Sequence, residues 1–247
     1  GGHVSGRVLL ITGTGTGVGK TIVTAAISCL AARAGRSVAV VKPGQTGVEG
    51  DDVGDVDDIK RLSGVRNVRE FVRYPDPISP AAAARISGKP TIVMREAAEQ
   101  INALANENDL VLIEGAGGLL VEYNPERETI ADLARLTNAE VVVAVLANLG
   151  TLNQTALTLA SLDHHQLPLA GVVIGRWPKA PEMVCQSNIV DLETIANRPL
   201  AGAIRERAGH LSKPEFLAAA DSGLSPAFGG HFDAADFRQR FEYRRKA

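Results

Sequence analysis

The chain has 247 residues, of which 45% are hydrophobic, 4% aromatic and 22% charged, with a formal net charge of -2. That length suits one large α/β domain with a proper core, and the near-neutral charge excludes a global basic field that would recruit nucleic acid or an acidic membrane. The two cysteines, Cys29 and Cys185, have no Cys or His beside them at ligand spacing, which excludes a disulfide framework and a structural zinc site and points to a reducing, cytoplasmic setting. No apolar run approaches the ~20 residues that span a bilayer. Residues 1–6, small and polar, read as a tag remnant rather than a signal peptide.

Residues 8–11 form a first strand, whose glycine-rich turn leads into a helix over 20–33 with Gly35 as its stop. A second strand, 38–41, ends on Lys42-Pro43, and an acidic stretch, 49–58, runs into a helix through Leu62. Ser79-Pro80 supplies the N-cap and first position of an alanine-rich helix, and 96–105 is another helix. Strands follow at 110–113, ending on Glu114, at 141–146, at 170–174 and, more weakly, at 200–204. His164-His165 sit at a helix end or in a loop, without an acidic or cysteine partner at ligand spacing. The segment after Arg205 reads as loop, closing in a short amphipathic docking helix over 233–245 that carries Phe237 and Phe241. Strands that are continuously apolar are buried on both faces. The expected architecture is therefore a single domain over 7–247 with a three-layer α/β/α, P-loop NTPase-type fold around a mostly parallel sheet.

The strongest chemical signal is Gly13-Thr14-Gly15-Thr16-Gly17-Val18-Gly19-Lys20-Thr21, directly after a strand. Such glycines let successive N–H groups face a polyphosphate at the positive end of the next helix. Lys20 can bridge β- and γ-phosphates, and the Thr21 hydroxyl can ligate Mg²⁺. The usual glycine five places before Gly19 is Thr14, with Gly13 one step earlier, so the loop is a variant. Mg²⁺ favours oxygen ligands. Glu114 ends a strand at the carboxyl edge of the sheet, where ligands bind in open α/β folds, and any of Asp51, Asp52, Asp55, Asp57 and Asp58 can supply a second carboxylate or simply form a solvated loop. Lys42, leaving a buried strand at the same edge, meets an anion or snorkels to water. No Asn-Lys-x-Asp motif reads guanine, and Gly15 stands where a partitioning-type ATPase places its signature lysine.

Five motifs in register resemble dethiobiotin synthetase: Thr-Gly-Thr-Gly-Thr-Gly-Val-Gly-Lys-Thr at 12–21, Lys-Pro-Gly-Gln-Thr-Gly at 42–47, Ser-Pro-Ala-Ala-Ala-Ala at 79–84, Glu-Gly-Ala-Gly-Gly at 114–118 and Leu-Gly-Thr-Leu-Asn at 149–153. The resemblance covers about residues 8–204. It implies an Mg²⁺-dependent cyclo-ligase that joins 7,8-diaminopelargonic acid and CO₂, at the expense of ATP or another NTP, into dethiobiotin through a carbamate and a carbamic-phosphoric anhydride. It implies that Lys42, Lys20 and Thr16 act in catalysis, with Lys42 on the carbamate and the transferring phosphoryl group. It places Thr46, Pro80 and Gly117 on the diamine. It gives the nucleotide to Gly17, Val18, Gly19, Lys20, Thr21, Ile22, Asp55, Glu114, Gly115, Ala116 and Gly117, and the metal to Thr21, Asp55 and Glu114.

The resemblance further implies that Gly150, Thr151, Leu152 and Asn153, an ordinary helix start on residue chemistry alone, hold the substrate carboxylate from the neighbouring subunit of a homodimer. Base contacts fall on Gly175, Arg176, Ala203, Ile204 and Arg205. Here the sequence departs from the family pattern: Gly175 replaces a base-reading asparagine, and a proline near Arg205 is missing. Looser base selection, with acceptance of CTP or other NTPs, is the expectation. Another P-loop amide-forming ligase and a partitioning-type ATPase are the alternative readings. The former would need a glutaminase domain or an ammonia source; the latter, binding to DNA or membrane.

Overall fold

A computed structural model describes residues 4–246. The proposed remnant at residues 1–6 falls partly on residues 1–3, which lie outside the described residues; Gly6 donates its N–H to the Ala105 carbonyl at 2.6 Å.

The described residues form one seven-stranded parallel sheet. Its strands are β1 (Arg7–Gly13), β2 (Val38–Thr46), β3 (Val68–Tyr74), β4 (Leu110–Glu114), β5 (Glu140–Val145), β6 (Leu169–Trp177) and β7 (Gly202–Arg205), in the order β3-β2-β4-β1-β5-β6-β7. The helices are α1 (Lys20–Arg33), α2 (Asp55–Ser63), α3 (Pro80–Ser87), α4 (Met94–Glu107), α5 (Ile130–Leu136), α6 (Thr151–His164), α7 (Met183–Ala196), α8 (Lys213–Gly223) and α9 (Ala234–Phe241). Strand residues alternate between two cores. Leu9 and Ile11 face the layer of α1, α2 and α8, whereas Val8 and Leu10 face the layer that contains α3, α4, α5 and α7. The expected three-layer α/β/α architecture is therefore present.

The inner helix α1 is buried along almost its whole length. Its small residues Ala25, Ala26, Thr24 and Ser28 allow close approach to the sheet. The two buried hydroxyls are satisfied within the helix, Thr24 on the Lys20 carbonyl and Ser28 on the Thr24 carbonyl. Gly35 takes φ 80° just past the helix end, as expected for its stop. His164 is the last residue of α6 and His165 follows it as its cap, at a helix end as read from sequence.

Several elements differ from the sequence reading. β2 does not end at Lys42-Pro43. Its pairing with β4 stops at Val41, while pairing with β3 continues from Lys42 to Thr46 and skips Pro43, which has no N–H to donate. β3 was not expected, nor were α5 and α7. The segment after Arg205 is not loop: α8 buries Phe216, Ala219 and Ala220 beneath it, and Leu224 bridges antiparallel to Gly202 of β7. Arg33 ties the segment to α1 through Asp221 at 2.6 Å and the Gly229 carbonyl at 3.0 Å. The closing amphipathic helix is present as α9 over the shorter span 234–241.

Because Phe216 is fully buried in the same core as α1, Phe216→Ala should destabilise the chain by about 3–5 kcal/mol, read from urea unfolding. A loss under about 1 kcal/mol, the range of surface positions, would show that α8 does not pack into that core.

Candidate active site

The loop between β1 and α1 owes its shape to three local demands. Val18 is 3% exposed and inserts into the core, where only a glycine at 13 leaves room for its side chain. Gly17 and Gly19 take φ 74° and 96°, values that glycine adopts without steric penalty. No side chain caps the start of α1, so its first N–H groups remain available to an anion. Lys20 folds back to donate to the Gly15 carbonyl at 2.8 Å. Burial, with the adjacent Lys42 charge adding to it, lowers the Lys20 pKa to about 8.

Facing this loop is a buried charge cluster. Lys42 Nζ lies 2.6 Å from Asp55 Oδ2 and 3.4 Å from Glu114 Oε1, and donates to the Gly115 carbonyl at 3.4 Å. Burial opposes the charge on Lys42, but Glu114 and Asp55 outweigh it and hold its pKa above the ordinary lysine value. Burial pushes the Glu114 carboxyl upward, with Lys42 pulling against it. Thr21 Oγ1 donates to Glu114 Oε1 at 2.7 Å, while Glu114 Oε2 is buried without a partner.

The acidic stretch sorts itself by hydrogen bonding. Asp55 starts α2, and its N–H donates to Gln45 Oε1 at 2.8 Å, which turns it toward Lys42. Asp57 accepts from the Gly54 N–H, Asp58 pairs with Arg61, and Asp52 accepts from the Glu49 N–H. Asp51 is exposed. Thr21, Asp55 and Glu114 bring only oxygen donors to the same cavity, the donor chemistry that Mg²⁺ favours. Among the described residues no group of three or more His, Cys, Asp and Glu offers a competing metal site.

These groups open on a cavity of about 680 Å³. Its wall includes Thr16, Gly17, Gly19, Lys20, Thr21, Ile22, Lys42, Thr46, Asp55, Pro80, Glu114, Ala116, Gly117 and Arg176 from the expected set. Gln45, Pro77, Ile78, Ser79 and Val121 line it as well. Gln45 lay within the motif at 42–47, so its position was readable although its role was not. Tyr123 gave no sequence signal. It is fully buried, and its hydroxyl accepts the Ala116 N–H at 2.8 Å, fixing the glycine-rich floor in which Gly117 takes φ 67°. Gly115 lies behind that floor, its N–H donating to the Ile11 carbonyl at 3.1 Å.

A model of the AAA domain family, AAA_26, matches residues 7–211. The ATP-dependent dethiobiotin synthetase BioD of Frankia casuarinae is 54% identical over 234 residues, covering 95% of this chain and 98% of that relative. The protein of the same name from Streptomyces coelicolor is 48% identical, over 94% of this chain and 98% of its own length. The chain belongs to the dethiobiotin synthetase family. Solved structures add the fold alone. The septum site-determining protein MinD of Pyrococcus horikoshii, complexed with Mg-ADP, has a TM-score of 0.56 at 20% identity, over 87% of this chain and 95% of its own. Apo McdA of Cyanothece has a TM-score of 0.58 at 15% identity, over 90% and 99%.

Other expected contacts of the synthetase pattern lie outside the cavity wall. Val18 and Ile204 have their side chains in the core, Ile204 with no exposure at all, so neither offers a nucleotide side-chain surface. Ala203 and Arg205 flank Ile204 on β7. Gly150, Thr151, Leu152 and Asn153 form the start of α6, away from this cavity, with Gly150 at φ 101°. Gly175 is pressed against the P-loop: a Cβ there would run into the Val18 carbonyl oxygen and lie 3.1 Å from the Gly19 Cα. An asparagine at this position requires the loop to stand further off, which accounts physically for the glycine.

Gly175→Ala should therefore weaken ATP binding by about tenfold or more, equivalent to about 1.4 kcal/mol, in calorimetric titration of a folded variant. Unchanged affinity would mean that the β6 end and the loop are not in the contact described.

Proposed function

We propose that this chain is an ATP-dependent dethiobiotin synthetase, closing a cyclic urea from a vicinal diamine, 7,8-diaminopelargonic acid, and CO₂ in biotin biosynthesis. The observation that carries the reading is the placement of Lys42, charged and almost wholly buried, opposite the P-loop in one cavity. A carbamate anion must approach an anionic γ-phosphate in this reaction. A preorganised cation between them lowers the barrier to that approach.

One substrate amine captures CO₂ as a carbamate and releases a proton. A carbamate oxygen then attacks the γ-phosphorus, the bond to the β-phosphate oxygen breaks, and ADP departs. The second amine attacks the carbamoyl carbon of the mixed anhydride, phosphate leaves, the nitrogen loses its proton, and the urea ring is complete. Lys42 neutralises the carbamate and the moving phosphoryl group. Lys20 and the N–H groups at the start of α1 hold the triphosphate. Thr16 and Thr46 orient the diamine above the floor around Gly117, which Tyr123 holds in place. Bound Mg²⁺, held by Thr21, Asp55 and Glu114, would supply charge neutralisation of the phosphate oxygens.

The far end of the substrate carries a carboxylate, and we place it on Gly150–Asn153 of a second copy. Support comes from α6, which buries only Thr151, Thr155 and Leu162 and leaves Leu157 60% exposed, with Leu149 just before it 86% exposed. No charged residue occurs from 141 to 162. An uncharged helix face of this kind suits burial against its own copy. No helix among the described residues is long and apolar enough to cross a membrane. Cytoplasmic residence is proposed on the grounds of reduced cysteines and the biosynthetic reaction.

Incubation with Mg²⁺, bicarbonate and ATP should yield dethiobiotin by mass spectrometry only when the diamine is present. CTP in place of ATP should also support turnover, since no base-reading amide stands at 175; a strong ATP preference would overturn that part. Lys20→Ala should weaken nucleotide binding and abolish turnover. Lys42→Ala should bind ATP more nearly as wild type and lose turnover by about two to three orders of magnitude, the range for removal of one transition-state charge partner. Because this change leaves Asp55 and Glu114 unpaired, at about 3–5 kcal/mol, rates are compared where circular dichroism shows a folded variant. Near-wild-type turnover by Lys42→Ala would remove it from catalysis.

Leu157→Glu should shift the sedimentation coefficient from dimer to monomer and raise the diamine KM. A wild-type monomer with full activity would sink the shared-site reading.

A further inference from the structure

We propose that the C-terminal helix α9 is a positioning element of the nucleotide site, acting through Trp177 on the Gly175-Arg176 bulge that touches the P-loop. β6 and β7 pair regularly at Ile174↔Ala203 and again at Trp177↔Arg205, so β6 has one residue more than its partner between those points. Such a bulge re-aims the residues it contains. Here Gly175 lies under Val18 and Gly19, and Arg176 donates from Nη1 to the Gly17 carbonyl at 3.1 Å while lining the cavity. The residue that fixes the far side of the bulge is Trp177. Its backbone carbonyl accepts the Glu206 N–H at 2.8 Å. Trp177 is 7% exposed and its indole N–H has no partner, so packing and not a hydrogen bond holds the ring in place.

That packing comes from α9. Phe237 and Phe241 contact the Trp177 ring edge-on, at centroid separations of 4.9 and 5.4 Å, and Phe237 also meets Phe232 at 5.3 Å. Arg238 pins the helix to α7 through Glu193 at 2.6 Å. α9 itself spans eight residues and has none fully buried. Helices shorter than about 12–15 residues are marginal in isolation, so α9 exists by virtue of this docking and its release is a low-energy local opening. The family model ends at residue 211, whereas α9 reaches the loop that defines the family's nucleotide site by two steps of contact. Helix docked and bulge aligned form one state; a nucleotide that binds this state better stabilises the helix, and the helix strengthens binding by the same factor.

The inference rests on the nucleotide reading of the P-loop cavity, so ATP with Mg²⁺, in the absence of diamine, is the probe, and wild-type binding is measured first. A wild type that binds no ATP overturns that reading. Trp177 is the sole tryptophan, and its emission reports whether α9 is seated. Phe237→Ala/Phe241→Ala should red-shift that emission, raise the ATP dissociation constant and nucleotide KM on the order of tenfold, and leave kcat within about twofold. Phe237→Leu should recover part of the loss. In the wild type, under conditions where α9 exchanges by local opening, ATP should slow hydrogen exchange of the 234–241 amides, a response that a helix uncoupled from the nucleotide site does not give in that regime. If the double variant does not fold, Arg238→Ala and the wild-type exchange measurement decide. Red-shifted emission with unchanged ATP affinity, or α9 exchange indifferent to ATP, overturns the proposal.

Discussion

Lys42 stands between Asp55 and Glu114 with almost no contact with water, and three elements must be in place before that arrangement is tolerable. β2 delivers the cation, β4 delivers one carboxylate, and the first turn of α2 delivers the other. Each is anchored separately, Asp55 by the Gln45 amide and Glu114 by the Thr21 hydroxyl. A buried ion removed from its partners is strongly destabilising, so folding of the sheet edge and assembly of the site are one event. The second lysine is set against the first. Lys20 is depressed to about 8 by burial and by Lys42 across the cavity, a repulsion that a polyanion laid between the two would relieve.

Topology explains why so much chemistry meets at one place. All seven strands run parallel, so every strand releases its chain at the same edge. The central strand β1 lies between β4 and β5. Its loop therefore has the Glu114 floor on one side and the segment leading to α6 on the other. α7 braces that second segment, with Asn188 donating to the Ala147 and Asn148 carbonyls at 2.8 and 3.3 Å. The septum site-determining protein MinD and McdA share this frame at low identity. The frame alone does not decide the chemistry; that lies in local residues such as Gly15, whose carbonyl receives Lys20.

The sequence was most legible where continuous apolar strands met glycine-rich turns, which covers β1, β4, β5 and the P-loop. It was least legible where tertiary context decides. β3 reads Val-Arg-Glu-Phe-Val-Arg-Tyr, an edge strand with charges on its open side, and it lacks the continuous apolar run of its neighbours. α5 and α8 carried capping boxes, Thr129 with Asp132 and Ser212 with Glu215, a start signal that short or Ala-rich helices can otherwise hide. α7 hides its core face behind a buried polar residue, Asn188. In the site, the residue types were readable but their selection was not. Residue chemistry alone left the five aspartates equivalent and only the family resemblance pointed to Asp55, which the structure turns toward Lys42 with its N–H donating to Gln45 Oε1. Tyr123 and Trp177 had no local pattern because their partners lie on other elements.

The edges of the sheet bear on how copies of this chain can meet. On one side β3 exposes Arg69, while Glu70 and Arg73 are largely covered and paired at 2.9 Å, and Arg73 holds the chain at Gly50 and Asp52 through their carbonyls. On the other, β7 is closed by the chain at Leu224 and Ser225, the latter donating to the Ala201 carbonyl at 2.9 Å. Open strand edges are templates for fibre growth, and here both are blunted, one by charge and one by cover. A chain with such edges offers little backbone for a second copy to pair with, so its own sheet is a poor template for end-to-end growth.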